Sequence, residues 1–226
     1  MQTINETITA AGNGAVLTET IATLTKLEIK FLQVALIKDK TREIMQYGTV
    51  RYSDKCAGFI VATTDTHRLH VVRAGNNGNL HGCKNDINHV LDIDLIARQM
   101  TALKLDTVEI IARISYTGEF IGLSVESSTG VNIPGAVVNM ANYPNVDRVI
   151  PDSFSLDYRG LKGAFNPRYM IDAMAHMTPK KETEKVHFWQ NEALRPAVVF
   201  DYSVRENAVS FEPGRKFAVV MPMHNW

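Results

Sequence analysis

Apolar residues return along this chain in two rhythms that alternate. Near residue 30 the spacing is helical: Leu24, Leu27, Phe31, Val34 and Ala35 share one face, and Lys26 and Lys30 occupy another. Strand-like runs follow at Tyr47 to Tyr52, Gly58 to Thr64 and Arg68 to Arg73, broken by Ser53-Asp54 and closed by Gly75-Asn76-Asn77-Gly78. The order then repeats. A strand at His89 to Asp92 leads into a helix from about Asp94, with Ile96, Met100 and Leu103 facing inward and Arg98 and Lys104 elsewhere. Strands at Thr107 to Ile114, Phe120 to Glu126 and Gly135 to Asn139 come next. In the third round Asn166 is an N-cap, and Pro167 fits the first helical position, where proline forfeits no hydrogen bond. Met170, Ala173, Met174 and Met177 form the apolar stripe, with Arg168, Asp172 and His176 off it. Lys180 and Lys181 close that helix in keeping with its dipole. Strands at Lys185 to Gln190, Ala197 to Tyr202, Ala208 to Glu212 and Lys216 to Met221 complete the round.

This is a weak internal repeat of about 75 residues. It predicts an α+β protein with three units, at 1–75, 76–152 and 153–226. A helix with one apolar stripe must bury it, so each unit is expected to be a sheet with its own helix laid across it.

Composition narrows the function. The 226 residues can bury a core without staples. Two cysteines, Cys56 and Cys83, do not build a disulfide framework or a four-thiolate zinc site, and they fit a reducing cytoplasm. The start MQTINETITAAGNGAV lacks a basic head followed by an apolar run, and no stretch of about 18 apolar residues occurs. Neither export nor a membrane span is expected. The 24 Lys and Arg balance 24 Asp and Glu, which argues against bulk coating of DNA. Charge is nevertheless segregated, because the outer helix faces carry Lys26, Lys30, Arg98, Lys104, Arg168, Lys180 and Lys181 with few acids. A shared anionic partner is one reading, and simple solvation of helix faces is the other.

Catalytic signals are absent. His67, His70, His81, Cys83 and His89 crowd one stretch, but their spacing matches no ligand pattern. No phosphate loop, dinucleotide fingerprint, His-Glu-x-x-His or nucleophile elbow occurs. Asp92 and Asp94 are expected to cap a helix rather than hold a metal. No cofactor or metal is expected, and a binding protein is favoured over an enzyme.

Four stretches carry a more specific signal. Ala62-Thr63-Thr64-Asp65-Thr66-His67-Arg68-Leu69, Tyr143-Pro144-Asn145-Val146-Asp147-Arg148-Val149-Ile150-Pro151, Phe165-Asn166-Pro167-Arg168-Tyr169 and Val219-Val220-Met221-Pro222-Met223 together resemble the bacterial DNA polymerase III beta sliding clamp family. They occur in family order. The resemblance covers about residues 25–226 and leaves the family's first domain and half of its third without counterpart. It implies the DNA clamp fold, in which repeated strand-helix-strand units put antiparallel sheets outside and helices around a ring. Residues 1–152 would form one clamp domain and 153–226 half of another. Family rings have twelve half-domains, so three per chain implies a homotetramer.

The resemblance also implies partners. Double-stranded DNA would thread the ring without sequence preference, facing Lys30, Lys38, Lys40, Arg42, Arg98, Lys104, Arg168, Lys180 and Lys181. A polymerase and a clamp loader would dock linear peptides in a hydrophobic pocket at Thr64, His67, Arg68, Leu69, Pro144, Val149, Asn166, Tyr169, Val219, Met221, Pro222 and Met223. The chain departs from the family pattern at Thr66, where glycine is usual, at Asn145, where aspartate is usual, at His224, where a basic residue is usual, and in ending on Trp226. Two other functions fit the residues. One is a clamp-like adaptor or decoy that keeps the pocket and forms no ring, and the other is a small hydrolase using His67 or Cys56.

Overall fold

A computed structural model describes residues 16–38, 40–75, 80, 82–140, 143–152, 161, 163–175, 177, 186–192, 194–201 and 215–223. Among the described residues three α-helices start where side chains cap them. Helix α1 (Lys26–Gln33) opens on Thr25, whose hydroxyl accepts from the Glu28 amide while the Glu28 carboxylate accepts from the Thr25 amide. Helix α2 (Ile93–Ala102) opens on Asp92, which accepts from the Leu95 amide at 2.8 Å, with Asp94 in its first turn. Helix α3 (Pro167–Met174) opens on Asn166, which accepts from the Arg168 amide at 3.0 Å. No described helix is long and apolar enough to cross a membrane.

Among the described residues eleven strands form two antiparallel sheets. The smaller has the order β1 (Val16–Thr25), β6 (Thr107–Ser115), β7 (Phe120–Ser127). The larger runs β8 (Val137–Val138), β5 (Asn88–Leu91), β2 (Gly48–Ser53), β3 (Gly58–Thr64), β4 (Arg68–Gly75), β11 (Lys216–Val220), β10 (Ala197–Asp201), β9 (Val186–Trp189). The expectation that each unit keeps its own sheet is corrected here. Strand β1 precedes α1 but pairs with β6, which follows α2, while β5 precedes α2 but pairs with β2, which follows α1. The first two units thus exchange their leading strands, and α1 lies beside α2. The third segment joins through the β4–β11 pair, in register from Arg68 opposite Val220 to Val72 opposite Lys216.

The larger sheet is apolar on both faces, which is why β3 is buried at every position and reads as a continuous run. On one face Val61, Val72, Ala218 and Val220 meet Ile29 and Leu32 of α1, Ile96 and Met100 of α2, and Met170 and Ala173 of α3. On the other, Ile60, Ala62, Leu69, Val71, Phe217 and Val219 pack with Tyr143, Val146 and Ile150. Burying each such side chain contributes about 1.5–3 kcal/mol, so the 143–150 strap is held firmly against the sheet.

Local expectations shift in three places. Leu24 belongs to β1 rather than to the helix, because the Thr25 cap starts α1 only after it. Leu103 is 50% exposed, since α2 ends before it, and Leu105 packs on the core instead. Helix α3 stops at Met174, followed by extended backbone at Ala175. Lys180, Lys181 and the Ala208 to Glu212 run lie outside the described residues.

Candidate functional site

The β3–β4 connection is a tight, internally bonded turn. The Thr64 hydroxyl donates to the Arg68 carbonyl at 2.7 Å and accepts from the Thr66 amide at 3.2 Å. Asp65 accepts from the His67 and Arg68 amides, both at 3.0 Å. Thr66 sits at φ +79°, a left-handed conformation that suits glycine and strains a β-branched residue. The strap beside it is equally fixed. Asn145 caps a 3-10 turn at Val146–Arg148, Ser53 donates to Asp147 at 2.5 Å, and the Tyr143 hydroxyl donates to the Tyr47 carbonyl at 3.1 Å. Burial pushes the Tyr143 phenol well above its usual pKa, so this donor keeps its proton. Strand β11 ends before Pro222, and the Met221 amide donates to the His67 carbonyl at 2.8 Å, drawing the chain end over the turn.

These three segments enclose a cavity of about 210 Å³. Of the residues expected to bind peptides, Thr64, Arg68, Leu69, Pro144, Val149, Val219 and Met221 line it. The others do not. His67 stacks on Tyr169 with ring centroids 5.5 Å apart, Asn166 caps α3, and Pro222 and Met223 continue past the rim, with the Met223 amide bonded to the Ala164 carbonyl at 2.8 Å. The lining also includes Met45, Thr66, Asn145 and Val146. The last three lie inside the stretches that carry the family resemblance, so proximity in sequence could have found them. Met45 gave no signal, because it arrives on the separate 3-10 segment Lys40–Gln46.

Arg68 forms the wall between this cavity and a larger cleft of about 930 Å³ on the helical side. The buried guanidinium bonds Asp65 at 3.0 Å, the Val34 carbonyl at 2.7 Å and Asp172 of α3, and it stacks 4.9 Å from the Tyr169 ring centre. One side chain thereby ties α1, the β3–β4 turn and α3 together. Lys30, Lys38 and Arg168 line the cleft and are exposed. Its acids are already engaged: Asp65 and Asp172 hold Arg68, and Asp94 accepts from Gln33 at 2.7 Å. Among the described residues Lys30, Lys38 and Arg168 make no ion pair.

The remaining basic candidates are dispersed. Arg98 is exposed on α2, and Lys104 is exposed just beyond it. The backbone of Lys40 lies in the 3-10 segment. Arg42, on that same segment, donates to the Thr66 hydroxyl at 3.2 Å, so it stands at the rim of the small cavity rather than on a helix face. Lys180 and Lys181 lie outside the described residues. The two residues weighed for hydrolysis are far apart: Cys56 precedes β3 and His67 follows it, and seven strand residues at about 3.3 Å each separate them. Among the described residues no group of three or more His, Cys, Asp and Glu side chains could hold a metal.

No family model and no curated protein matches the sequence. Solved structures do match. The DNA polymerase sliding clamp from Bacillus subtilis superimposes with a TM-score of 0.57 at 15% identity, covering 92% of this chain and 65% of that one. The DNA polymerase III beta chain from Streptococcus pneumoniae gives 0.53 at 16% identity, with 98% and 68% covered. The clamp from Pseudomonas aeruginosa gives 0.55 at 13%, with 96% and 76% covered. The chain has the sliding-clamp fold. It spans about two thirds of the length of the Bacillus and Streptococcus clamps. Within that clamp fold, the small cavity lies on the sheet face opposite the helices, at the β4–β11 seam.

Proposed function

We propose that this chain is a DNA sliding clamp, a processivity factor that encircles duplex DNA and tethers replication proteins through the small cavity. The first two units act as one clamp domain and the third as half of another. Four chains then complete a ring of twelve half-domains. The observation that carries this reading is the cavity's position in the clamp fold. It opens at the seam between the first unit and the third, while the helices with Lys30, Arg98 and Arg168 occupy the opposite side of the sheet. Phosphate attraction from exposed lysines and arginines is blind to sequence, as sliding requires. The apolar floor of Leu69, Val146 and Val219, edged by Met45 and Met221, suits short peptides that differ in sequence, because methionine adapts its shape. The clamp itself performs no chemistry.

Primer extension on a long circular template, with and without the protein, tests this reading. Longer products with the matched polymerase are expected, and unchanged product length contradicts it. A second reading, an adaptor or decoy that captures polymerase or loader peptides without forming a ring, is favoured by one observation: the cavity is complete within a single chain. A stable monomer that binds such peptides but does not extend products would select it.

A further inference from the structure

We propose that Arg42 and Thr66 form a carboxylate seat at the mouth of the small cavity, so that its occupant is a peptide with an acidic side chain next to its apolar anchor. This rests on the cavity being a peptide site and adds which peptides it prefers. Leu69, Val146, Val149 and Val219, with Met45 and Met221, supply the apolar surface, and among the described residues no carboxylate lines the cavity. The polar groups deeper in the wall are already satisfied. The Thr64 hydroxyl donates to the Arg68 carbonyl at 2.7 Å, and the Arg68 guanidinium is held by Asp65 and Asp172. Asn145 uses its side-chain oxygen to accept from the Asp147 amide at 3.2 Å and from Arg51 at 3.4 Å.

Arg42 is different. It is exposed, and its Nη1 donates to the Thr66 hydroxyl at 3.2 Å. Among the described residues it makes no ion pair, either with its neighbour Glu43 or with another acid. One neutral acceptor leaves most of the five guanidinium donors open. Two local departures bring the pair together. The 3-10 segment Lys40–Gln46 kinks at Arg42, with φ −124° and ψ 63°, and Thr66 holds φ +79°, where its branched side chain is strained. A glycine would adopt that turn without strain but would offer Arg42 no hydroxyl. The strained residue thus holds a cation at the rim of an apolar cavity, and strain kept together with such a contact marks a binding feature. The cavity lies on the sheet face opposite the helices, so the anion that meets Arg42 comes with the cavity's occupant and not with a duplex along the helices. A guanidinium favours a planar carboxylate through paired N–H bonds, and solvent at an exposed site keeps the preference modest.

Selection of phage-displayed random hexapeptides on the immobilised full chain tests the seat. On the wild type we expect apolar residues flanked by an enriched Asp or Glu, and on Arg42→Met the acid should fall to its frequency in the library while the apolar residues persist. In fluorescence anisotropy, replacing the acid of a selected peptide by its amide should weaken binding to the wild type about fivefold, a gap that narrows as salt rises. Arg42→Met should bind the two peptides equally. Thr66→Ser should keep the preference and Thr66→Gly should lose it; because glycine relieves the turn, that loss is not a loss of fold. Peptides whose binding Met221→Asp abolishes but that show no acid preference overturn the seat and leave the peptide site standing. An acid preference that survives Arg42→Met or Thr66→Gly also overturns the seat. A wild type that selects no peptide, or whose peptides still bind Met221→Asp, overturns both the seat and the peptide site.

Discussion

Thr66 is a single strained residue whose side chain still does something. Its φ of +79° costs about 1 kcal/mol or more for a β-branched residue, while its hydroxyl accepts only an exposed hydrogen bond from Arg42. Thr66→Gly is therefore expected to raise unfolding free energy by about 1 kcal/mol in urea titration. Arg68 is the opposite case. Replacing it with methionine takes the guanidinium from the Asp172 carboxylate and the Val34 carbonyl and leaves Asp65 only its backbone amide donors, and about 3–5 kcal/mol of stability should disappear in the same titration. His89 predicts a pH effect. Burial lowers its pKa below 6.5, its Nδ1 has no partner among the described residues, and its ring meets the edge of Phe120 at 5.1 Å. Below pH 6.5 the unfolded chain gains a proton that the folded one resists. The His89 contribution to stability is thus full above pH 6.5 and declines as pH falls. His89→Gln should flatten the melting temperature between pH 7 and 5.

At the scale of elements, two positions differ in how much change they tolerate. Gly48 opens β2 against the first residue of α2: an added Cβ would come within 2.8 Å of the Ile93 side chain and 3.1 Å of the Ala62 carbonyl. Gly48→Ala should cost about 1–3 kcal/mol in thermal unfolding by pushing α2 off the sheet. The cavity rim is more forgiving, since Met221 is 36% exposed. Met221→Asp should leave the melting temperature unchanged while weakening polymerase-peptide binding at least tenfold by fluorescence anisotropy. The β3–β4 turn and the α3 cap were legible in the sequence because local hydrogen bonds build them from adjacent residues. The β1 strand was not, because its Thr and Glu positions look like loop until β6 pairs with them.

For the whole molecule, the proposed function makes the salt dependence of DNA binding a property of the charge on the helical side. Removing Lys30, Lys38 and Arg168 together should lower the slope of log affinity against log salt by about 0.9 for each phosphate they would otherwise neutralise. A slope equal to that of the wild type would place the duplex elsewhere. Arg42 shows why the basic set could be read only in part: the chain bends between Lys38 and Gly48 and carries this residue toward Thr66, a displacement that no periodicity records.

The order of residues along the chain is enough to specify the alternation of helices and strands, the caps at Asp92 and Asn166, and the apolar runs of a sheet buried on both faces. All of these arise from near neighbours or from a period of two or 3.6 residues. Folding in three dimensions was needed to choose which strands exchange between units, to join α1 to α3 through Arg68, and to bring Met45 to a cavity with Leu69 and Val219. Those features depend on pairings between residues far apart in the chain, and many strand orders would satisfy the same hydrophobic pattern until packing selects one.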